Sequence, residues 1–553
     1  MKQSNTVIIC TPVLGFIVFI AGISLGWFGF PALIVHEIKQ GVVLVNGTEA
    51  YERWRKLPVA LYFKVYIFNV TNPDDVQNGA NPVVQEVGPY VYDQYREKFD
   101  VKDEGDDTLS YVQNSTFYFN KEKSGNLSED DVVTVLNIAL VGTVLKLKKL
   151  TGSSLEIDTL MTEIFHGSEK VFHTATVRDL TWDGVTVVNC TAAYQKSFQA
   201  KMVCDMLKPE LPAMVTEHEP GIFKMAYFRH KNNSNDGRYR VNSGILDTRA
   251  LGRIEEWEGR PNLTIWSGRF CNMINGTDST IFPPFWSPKD KLYIFLVDAC
   301  RSLYATFESE TMWKGLPALR YVGGVHNLQA AEDFPLNSCF CEEIENGRPQ
   351  CLKSGVLNLY NCLGVSVIIS FPHFYNASPD YQHYVQGFKP NKKKHETFID
   401  IEPVSVFKYV QGAELDDKDL TAIHRLYTVI CIFTVIKWFL VAAGVLLMCV
   451  SVYMFAFRRN NGHRIMQNEH KGRIAVFYDN KAYTTKHRDI KDTLSVSTLS
   501  DVTRTDQVDI RKRWGNFSSK SPSRSEPNKV SENVGLSVSK EPNNTVTLST
   551  VFM

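Results

Sequence analysis

Two runs without a charged residue stand near opposite ends of the chain, and they restrict its fold more than any other feature. Val7 to Phe30 is 24 residues long. At about 1.5 Å per residue in a helix, such a run crosses a hydrocarbon core of about 30 Å. A cleaved signal peptide would carry a shorter apolar stretch, about 7–15 residues, closed by small residues. This run closes on Trp27-Phe28-Gly29-Phe30-Pro31, which suits an uncleaved anchor with aromatic rings at the membrane interface. The second run, Trp438 to Phe457, is 20 residues long, with Lys437 before it and Arg458-Arg459 after it. Arg458, Arg459 and Arg464 mark the cytoplasmic side. Two spans return the chain to the side on which it began. The expected organisation is a cytoplasmic N-terminus at 1–6, a transmembrane helix at 7–30 and an extracellular or lumenal body at 31–436. A transmembrane helix at 437–457 and a cytoplasmic tail at 458–553 complete it.

The body reads as secreted. It holds Asn-X-Ser/Thr sequons at Asn46, Asn69, Asn114, Asn126, Asn189, Asn232, Asn262, Asn275 and Asn376, nine of its 24 asparagines. Chance would give roughly three, so a glycosylated surface is expected. Eight cysteines lie in the same stretch: Cys190, Cys204, Cys271, Cys300, Cys339, Cys341, Cys351 and Cys362. An even number in an oxidising compartment reads as disulfides. The competing reading is a zinc site on Cys339-Phe340-Cys341 and Cys351, but C-x-C is not a usual zinc knuckle. Eight cysteines allow about 105 pairings, and spacing does not choose among them.

Charge and composition exclude other classes. The 60 basic and 60 acidic residues cancel, which removes a global electrostatic argument for binding nucleic acid. The balance hides a split: residues 458–553 carry 17 basic and 10 acidic side chains, a net +7, whereas 31–457 carry 42 and 50, a net −8. Aromatic residues at 12% and apolar residues at 44% exclude a mainly disordered chain. Only the polar, Ser/Thr-rich tail beyond Arg458 has the composition of disorder. Its membrane-proximal basic residues suit contact with anionic membrane lipids.

Val59 to Val70 is rich in β-formers and runs into the turn Asn72-Pro73-Asp74. Val83 to Val87 leads through Gly88-Pro89 to Tyr90-Val91-Tyr92, and Thr108 to Asn120 alternates. These are strands. From about 129 to 183 the apolar residues Leu136, Leu140, Leu145, Leu155, Leu160, Ile164 and Phe165 recur at helical spacing. After Trp182 strands dominate again to about 410. The order predicts an α+β fold in which a helical insertion sits on a largely antiparallel sheet or barrel. No GxSxG, HExxH, GxGxxG or GxxxxGK[ST] motif occurs. The reading is therefore not an enzyme, with no cofactor and no metal. His166, His173 and His373 read as structural or surface residues. A large body held at both ends to one membrane suits a receptor or transfer protein for membrane-derived ligands, and a lipid ligand needs an apolar cavity.

The double anchor, Asn69-Val70-Thr71-Asn72-Pro73, Glu86-Val87-Gly88-Pro89-Tyr90, Gly276-Thr277-Asp278-Ser279-Thr280, Cys300-Arg301-Ser302 and Pro372-His373-Phe374 resemble class B scavenger receptors, the fatty-acid translocase family. Together these cover about 30–403 and the second span. Within that family, Phe99 to Phe119 and the pair Cys190/Cys204 are most similar to the insect sensory neuron membrane proteins, and among these to the second subtype.

The resemblance implies an antiparallel β-barrel ectodomain with a helical cap at about 129–183, anchored by two transmembrane helices at the plasma membrane, both termini cytoplasmic. It implies the bridges Cys271–Cys339, Cys300–Cys362 and Cys341–Cys351, with Cys190–Cys204 as a fourth. It implies a hydrophobic tunnel that carries lipids, and a cap lysine that captures anionic ones. The cap holds Lys146, Lys148, Lys149 and Lys170, of which Lys170 lies closest to the family's position. The function implied is binding of hydrophobic lipid-derived ligands (odorants, pheromones, fatty acids) and their transfer to the membrane or to an odorant receptor, in olfaction. Odorant-binding proteins are the other implied partners. The alternative is a scavenger or adhesion receptor for lipoprotein particles or anionic surfaces. One departure stands out. The family continues after Asp400-Ile401-Glu402-Pro403 with further strands, whereas here only residues 404–425 precede the apolar run Leu426–Ile436. Missing strands would leave an open sheet edge.

Overall fold

A computed structural model describes residues 5–479, apart from 152–161, 166–169, 192–196, 209–210, 344–348, 365–366, 405–407 and 410–416. The chain divides into two compact units. One is Ile20–Val441. The other holds Met1–Phe19 and Ala442–Asn543, of which 5–19 and 442–479 are described.

Among the described residues, two helices are long and apolar enough to cross a membrane, Cys10–Val42 with 33 residues and Ile423–Asn461 with 39. Each is longer than its charge-free run, and the surplus is a root in the globular unit. Ile38 and Val42 are buried with Leu44, Tyr51 and Trp54 in the largest apolar cluster. Ile423 is buried against Leu316 and Ala318, with Trp313 and Tyr427 around it. Tyr427 donates from its hydroxyl to Glu402 at 2.5 Å, and Glu402 is fully buried. Within the same unit the helices meet through aromatic rings. Trp27 and Trp438 lie edge to face at 5.7 Å, Phe30 stacks on Phe433 at 4.5 Å, and Lys437 Nζ sits 4.5 Å above the Trp27 ring. A Cβ at Gly26 would overlap the Lys437 stem, so glycine permits this approach. In the other unit, a Cβ at Gly444 would overlap the Phe19 backbone.

The body is built on two five-stranded antiparallel sheets. The first contains β1 (Leu61–Val70), β2 (Val84–Asp103), β3 (Thr108–Phe119), β4 (Ser234–Asn242) and β5 (Ile254–Trp257), in that order. The second contains β6 (Leu292–Leu296), β7 (Arg301–Trp313), β8 (Leu316–Gly323), β9 (Phe398–Ile401) and β10 (Lys408–Tyr409). The β-rich segments of the sequence are β1 to β3, and on β2 three successive residues, Tyr90, Val91 and Tyr92, are buried. On β2, Tyr90, Tyr92 and Lys98 are buried, whereas Tyr95 and Phe99, one residue out of phase, are 45% and 43% exposed. Among the described residues the strands do not close into one ring. Instead, one segment joins the two sheets. Ile254 N on β5 donates to Gly276 O at 2.9 Å, and Phe295 N on β6 donates to Thr277 O at 3.0 Å. Gly276 has φ +88, and a Cβ there would overlap the Tyr293 carbonyl, so only glycine fits between the sheets.

Two residues further on, Asp278 reaches the inner face of the first sheet. Its carboxylate is 3.4 Å from Lys98 Nζ, and both side chains are almost wholly buried, at 3% and 1% exposed. Lys98 Nζ also donates to Trp54 O, Gln113 Oε1 and Thr280 Oγ1 at 3.0–3.1 Å, beneath the Trp54 and Tyr111 rings. Tyr111 donates to Asp278 Oδ2 at 2.8 Å. Burial favours the neutral carboxyl, but the Lys98 charge and hydrogen bonds from Thr280 and Tyr111 outweigh it and hold Asp278 at about 2.

The stretch 129–183 is mixed rather than helical throughout. Helix Ile138–Thr151 is there, but it lies between strands Val132–Leu136 and Phe172–Thr176, which pair with each other. The run Val132-Val133-Thr134-Val135 is β-branched and takes the extended form, against the helical reading of this stretch. Strands Val185–Asn189, Ile222–Met225 and Val215–Glu219, with helix Phe198–Leu207, extend this cap.

Four disulfides staple the body: Cys190–Cys204, Cys271–Cys339, Cys300–Cys362 and Cys341–Cys351. Cys10, Cys431 and Cys449, on the membrane-length helices, are free thiols. Of the sequon asparagines, Asn46, Asn126, Asn232, Asn262 and Asn376 are exposed, and Asn69, Asn114, Asn189 and Asn275 are half-buried. Residues 458–479 continue the last helix, and the remainder of the tail lies outside the described residues.

Candidate ligand-binding site

The cap has its own apolar core. Leu140, Ile164, Phe165, Val187, Val188, Ala200, Val203, Met214, Phe223 and Met225 are buried together around the Cys190–Cys204 bridge. Helix Phe198–Leu207 supplies Ala200, Val203 and Cys204 at helical spacing, and Ser197 starts it by accepting from Ala200 N at 3.0 Å. Beside this core is a cavity of about 290 Å³ lined by Cys190, Cys204, Lys208, Pro220, Gly221 and Phe223. Its wall mixes apolar and polar surface, and Lys208 supplies a cation. Lys208 Nζ is 3.0 Å from Glu217 Oε1, an exposed ion pair that water screens.

This is not the lysine set expected from the sequence. Lys146, Lys148 and Lys149 fall on helix Ile138–Thr151, but their side chains lie outside the described residues. Lys170 is exposed at the entry to strand Phe172–Thr176, and its carbonyl accepts from Asn137 Nδ2 at 3.2 Å. Lys208 was not singled out. Its spacing from Cys204, one helical turn, is the signal that would have placed it beside the bridge.

A second apolar surface lies under the cap. Phe63 of β1 meets Phe117 of β3 at 5.3 Å and Phe228 at 5.0 Å, and Phe117 and Tyr92 each meet Trp182 at 5.1 Å. Val133, Val135, Val177 and Leu180 of the cap pack on the same cluster. The rings share one face because β1, β2 and β3 are in register: Phe63 opposes Tyr92, and Tyr92 opposes Phe119.

Two sequence motifs meet at a histidine pair. His373 Nε2 lies 3.1 Å from Glu86 Oε1, while its Nδ1 accepts from Lys389 N at 3.1 Å. Since Nδ1 accepts, Nε2 carries the hydrogen and donates to Glu86. That bond is the main reason why the Glu86 carboxyl sits below its usual range. His395 stacks on His373 with ring centres 4.3 Å apart, and its Nδ1 accepts from Asn391 N at 3.0 Å. Burial and the neighbouring His373 push His395 down to about 4. His173 is also lowered by burial, and His166 lies outside the described residues.

The histidine geometry sets a pH dependence. An unfolded histidine titrates near 6.5. Between pH 6.5 and about 4 the unfolded chain binds a proton that folded His395 does not. This contribution is complete above pH 6.5 and is lost as pH falls towards 4. Melting of the full-length protein is expected at a lower temperature at pH 5 than at pH 7, with His395→Asn narrowing the gap. An equal gap in the variant would remove His395 from the account.

A body of two antiparallel sheets and a cap, stapled by disulfides, with membrane-length helices near both ends of the chain, is the architecture of a membrane protein with two candidate spans. The chain belongs to the CD36 family, whose model matches residues 13–408. It is 35% identical over 399 residues to sensory neuron membrane protein 2 of Manduca sexta, covering 71% of this chain and 76% of that protein. Sensory neuron membrane protein 1 of Antheraea polyphemus is 33% identical over 392 residues, 70% of this chain and 72% of that protein. Sensory neuron membrane protein 1 of Apis mellifera is 30% identical over 488 residues, 82% of this chain and 90% of that protein. The family match ends at the first residue of β10.

Proposed function

We propose that this protein is a plasma-membrane receptor, not an enzyme, that captures hydrophobic lipid-derived ligands and passes them to the membrane or to an odorant receptor. Both termini are cytoplasmic, and the glycosylated body at 31–436 lies outside the cell. The names of its relatives support a sensory setting, and family membership supports a lipid ligand. The observation that carries the reading is the cap cavity: the apolar side chains of Phe223 and Pro220 and the Cys190–Cys204 bridge in its wall, with the Lys208 ammonium beside them. That is the composition an amphiphile with an anionic head requires. The ligand then moves through the body along apolar surface towards the bilayer, a route that needs the two sheets to enclose it.

Chain length tests this. Each buried CH₂ contributes about 0.8 kcal/mol, or roughly fourfold in affinity. Saturated fatty acids of increasing length should bind the full-length protein in lipid nanodiscs progressively tighter, measured against empty discs, until the apolar surface is filled. Equal affinity for short and long chains would rule out an apolar path.

A further inference from the structure

Exposed aromatic rings stand in a row on the outer face of the first sheet. Along β2 the side chains of Tyr92 and Lys98 are buried on the inner face, and the alternate residues Asp93, Tyr95, Glu97 and Phe99 take the outer one. Tyr95 and Phe99 are large apolar side chains left open to solvent. Tyr118 of β3 joins them, 61% exposed, its ring edge to face with Tyr95 at 6.0 Å. A contiguous set of exposed rings marks a surface that something else covers.

The strand register says what the cover is. On β3, Gln113 and Ser115 are buried, so Asn114 between them is on the outer face. Asn114 opposes Glu97, while Val112 opposes Phe99 and Thr116 opposes Tyr95. Asn114 therefore starts between the two rings, diagonal to each at about 7–8 Å, within reach of aromatic side chains. Asn114-Ser115-Thr116 is a sequon. Among the described residues it is the one sequon asparagine in mid-strand: Asn69 and Asn189 lie at the ends of theirs, and the rest lie outside the strands. A sugar there begins over the sheet and not at a loop tip. Its ring offers an apolar C–H face to Tyr95 or Phe99, and its hydroxyls meet the charged group across the strand, Glu97 with Arg55 and Lys56 at 3.3 and 3.1 Å.

We propose that an N-linked glycan on Asn114 is the cover of this face, its first sugars packed against Tyr95 and Phe99. Attachment joins Asn114 Nδ2 to C1 of an N-acetylglucosamine. The bond from C1 to the lipid-linked diphosphate donor breaks, the diphosphate leaves with the electron pair, and the amide gives up one proton. The glycan is bulky and soluble, so it also keeps a second protein surface off the rings. The proposal rests on the reading of the body as extracellular.

The test uses full-length protein made in insect cells and solubilised in detergent, with sugar occupancy read by mass spectrometry of the Asn114 and Asn46 peptides. Both should carry sugar. Asn114→Gln should lower the melting temperature by about 2 °C, the scale of a lost pair of ring contacts. The same change made in a Tyr95→Ser/Phe99→Ser background should shift nothing, and Asn46→Gln, in an exposed turn, should shift nothing in either. An equal loss with and without the rings would overturn the packing. If Asn46 carries sugar and Asn114 does not, the proposal falls while the extracellular reading stands; if no sequon carries any, both fall. A wild type that is dimeric, and becomes monomeric with Tyr95→Ser/Phe99→Ser, would give the face to a second copy and overturn the glycan. Should Asn114→Gln not be recovered, peptide N-glycosidase acting on the native proteins decides. It should release the Asn114 sugar faster from the ring variant than from wild type, and equal rates would overturn the proposal.

Discussion

Asp278→Asn should destabilise the protein by about 3–5 kcal/mol, the range for a buried ion pair that loses one partner. Asparagine keeps the volume and can still bond Thr280. It removes the charge that answers Lys98, which is 1% exposed and cannot turn to water. The three neutral oxygens around Lys98 Nζ, from Trp54, Gln113 and Thr280, solvate it only in part. Lys98→Met should also be costly, because Asp278 and the Tyr111 hydroxyl then lose their cation. The double variant should be less unstable than the sum of the two, since each single change strands the other partner. Denaturant unfolding of the detergent-solubilised protein reads all three. A loss below about 1 kcal/mol for Asp278→Asn would mean that the pair is solvated or loosely held.

Removing a long-loop disulfide should cost nearly as much. Cys300–Cys362 closes a separation of 62 residues, and Cys341–Cys351 closes one of 10. In the chain-entropy account these stabilise by about 4 and about 3 kcal/mol. Cys300→Ala with Cys362→Ala should therefore unfold at a lower denaturant concentration than Cys341→Ala with Cys351→Ala. Packing adds to the difference. The Cys300 carbonyl accepts from the buried Trp266 Nε1 at 2.6 Å, and Cys300 belongs to the largest apolar cluster. If the short-loop variant were the less stable, loop entropy would not be the source of the stabilisation.

The motifs that made the family legible turn out to be joints of the fold. Gly276 wedges between the sheets, Asp278 neutralises Lys98, and Thr280 bonds Asp278. Glu86 and His373, 287 positions apart, meet at 3.1 Å. Ser302 Oγ accepts from Asn275 N at 2.8 Å, and Arg301 lies over the Phe340 ring at 3.9 Å. None of these motifs lines the cap cavity. The cap cavity and the apolar cluster under the cap are built from residues such as Lys208, Phe63, Phe117 and Phe228, which in one sequence look like an ordinary surface lysine and ordinary strand aromatics.

The sequence by itself determined what short-range physics decides. A charge-free run of 24 or 20 residues is membrane-length whatever surrounds it. The β-rich run Val59 to Val70 and the alternating run Thr108 to Asn120 read as strands, and they form β1 and β3. Tertiary structure decided the rest. Val132 to Val135, β-branched and so suited to a strand, found its pairing partner only in Phe172 to Thr176. Lys98, which reads as a polar surface position, is buried because Asp278 arrives 180 residues later to meet its charge. Arg96, two residues before it, meets Ser279 Oγ at 3.5 Å and, among the described residues, no carboxylate within ion-pair distance. Hydropathy and spacing are properties of neighbours in the chain, whereas the fate of a charge depends on what folding brings within a few ångströms of it.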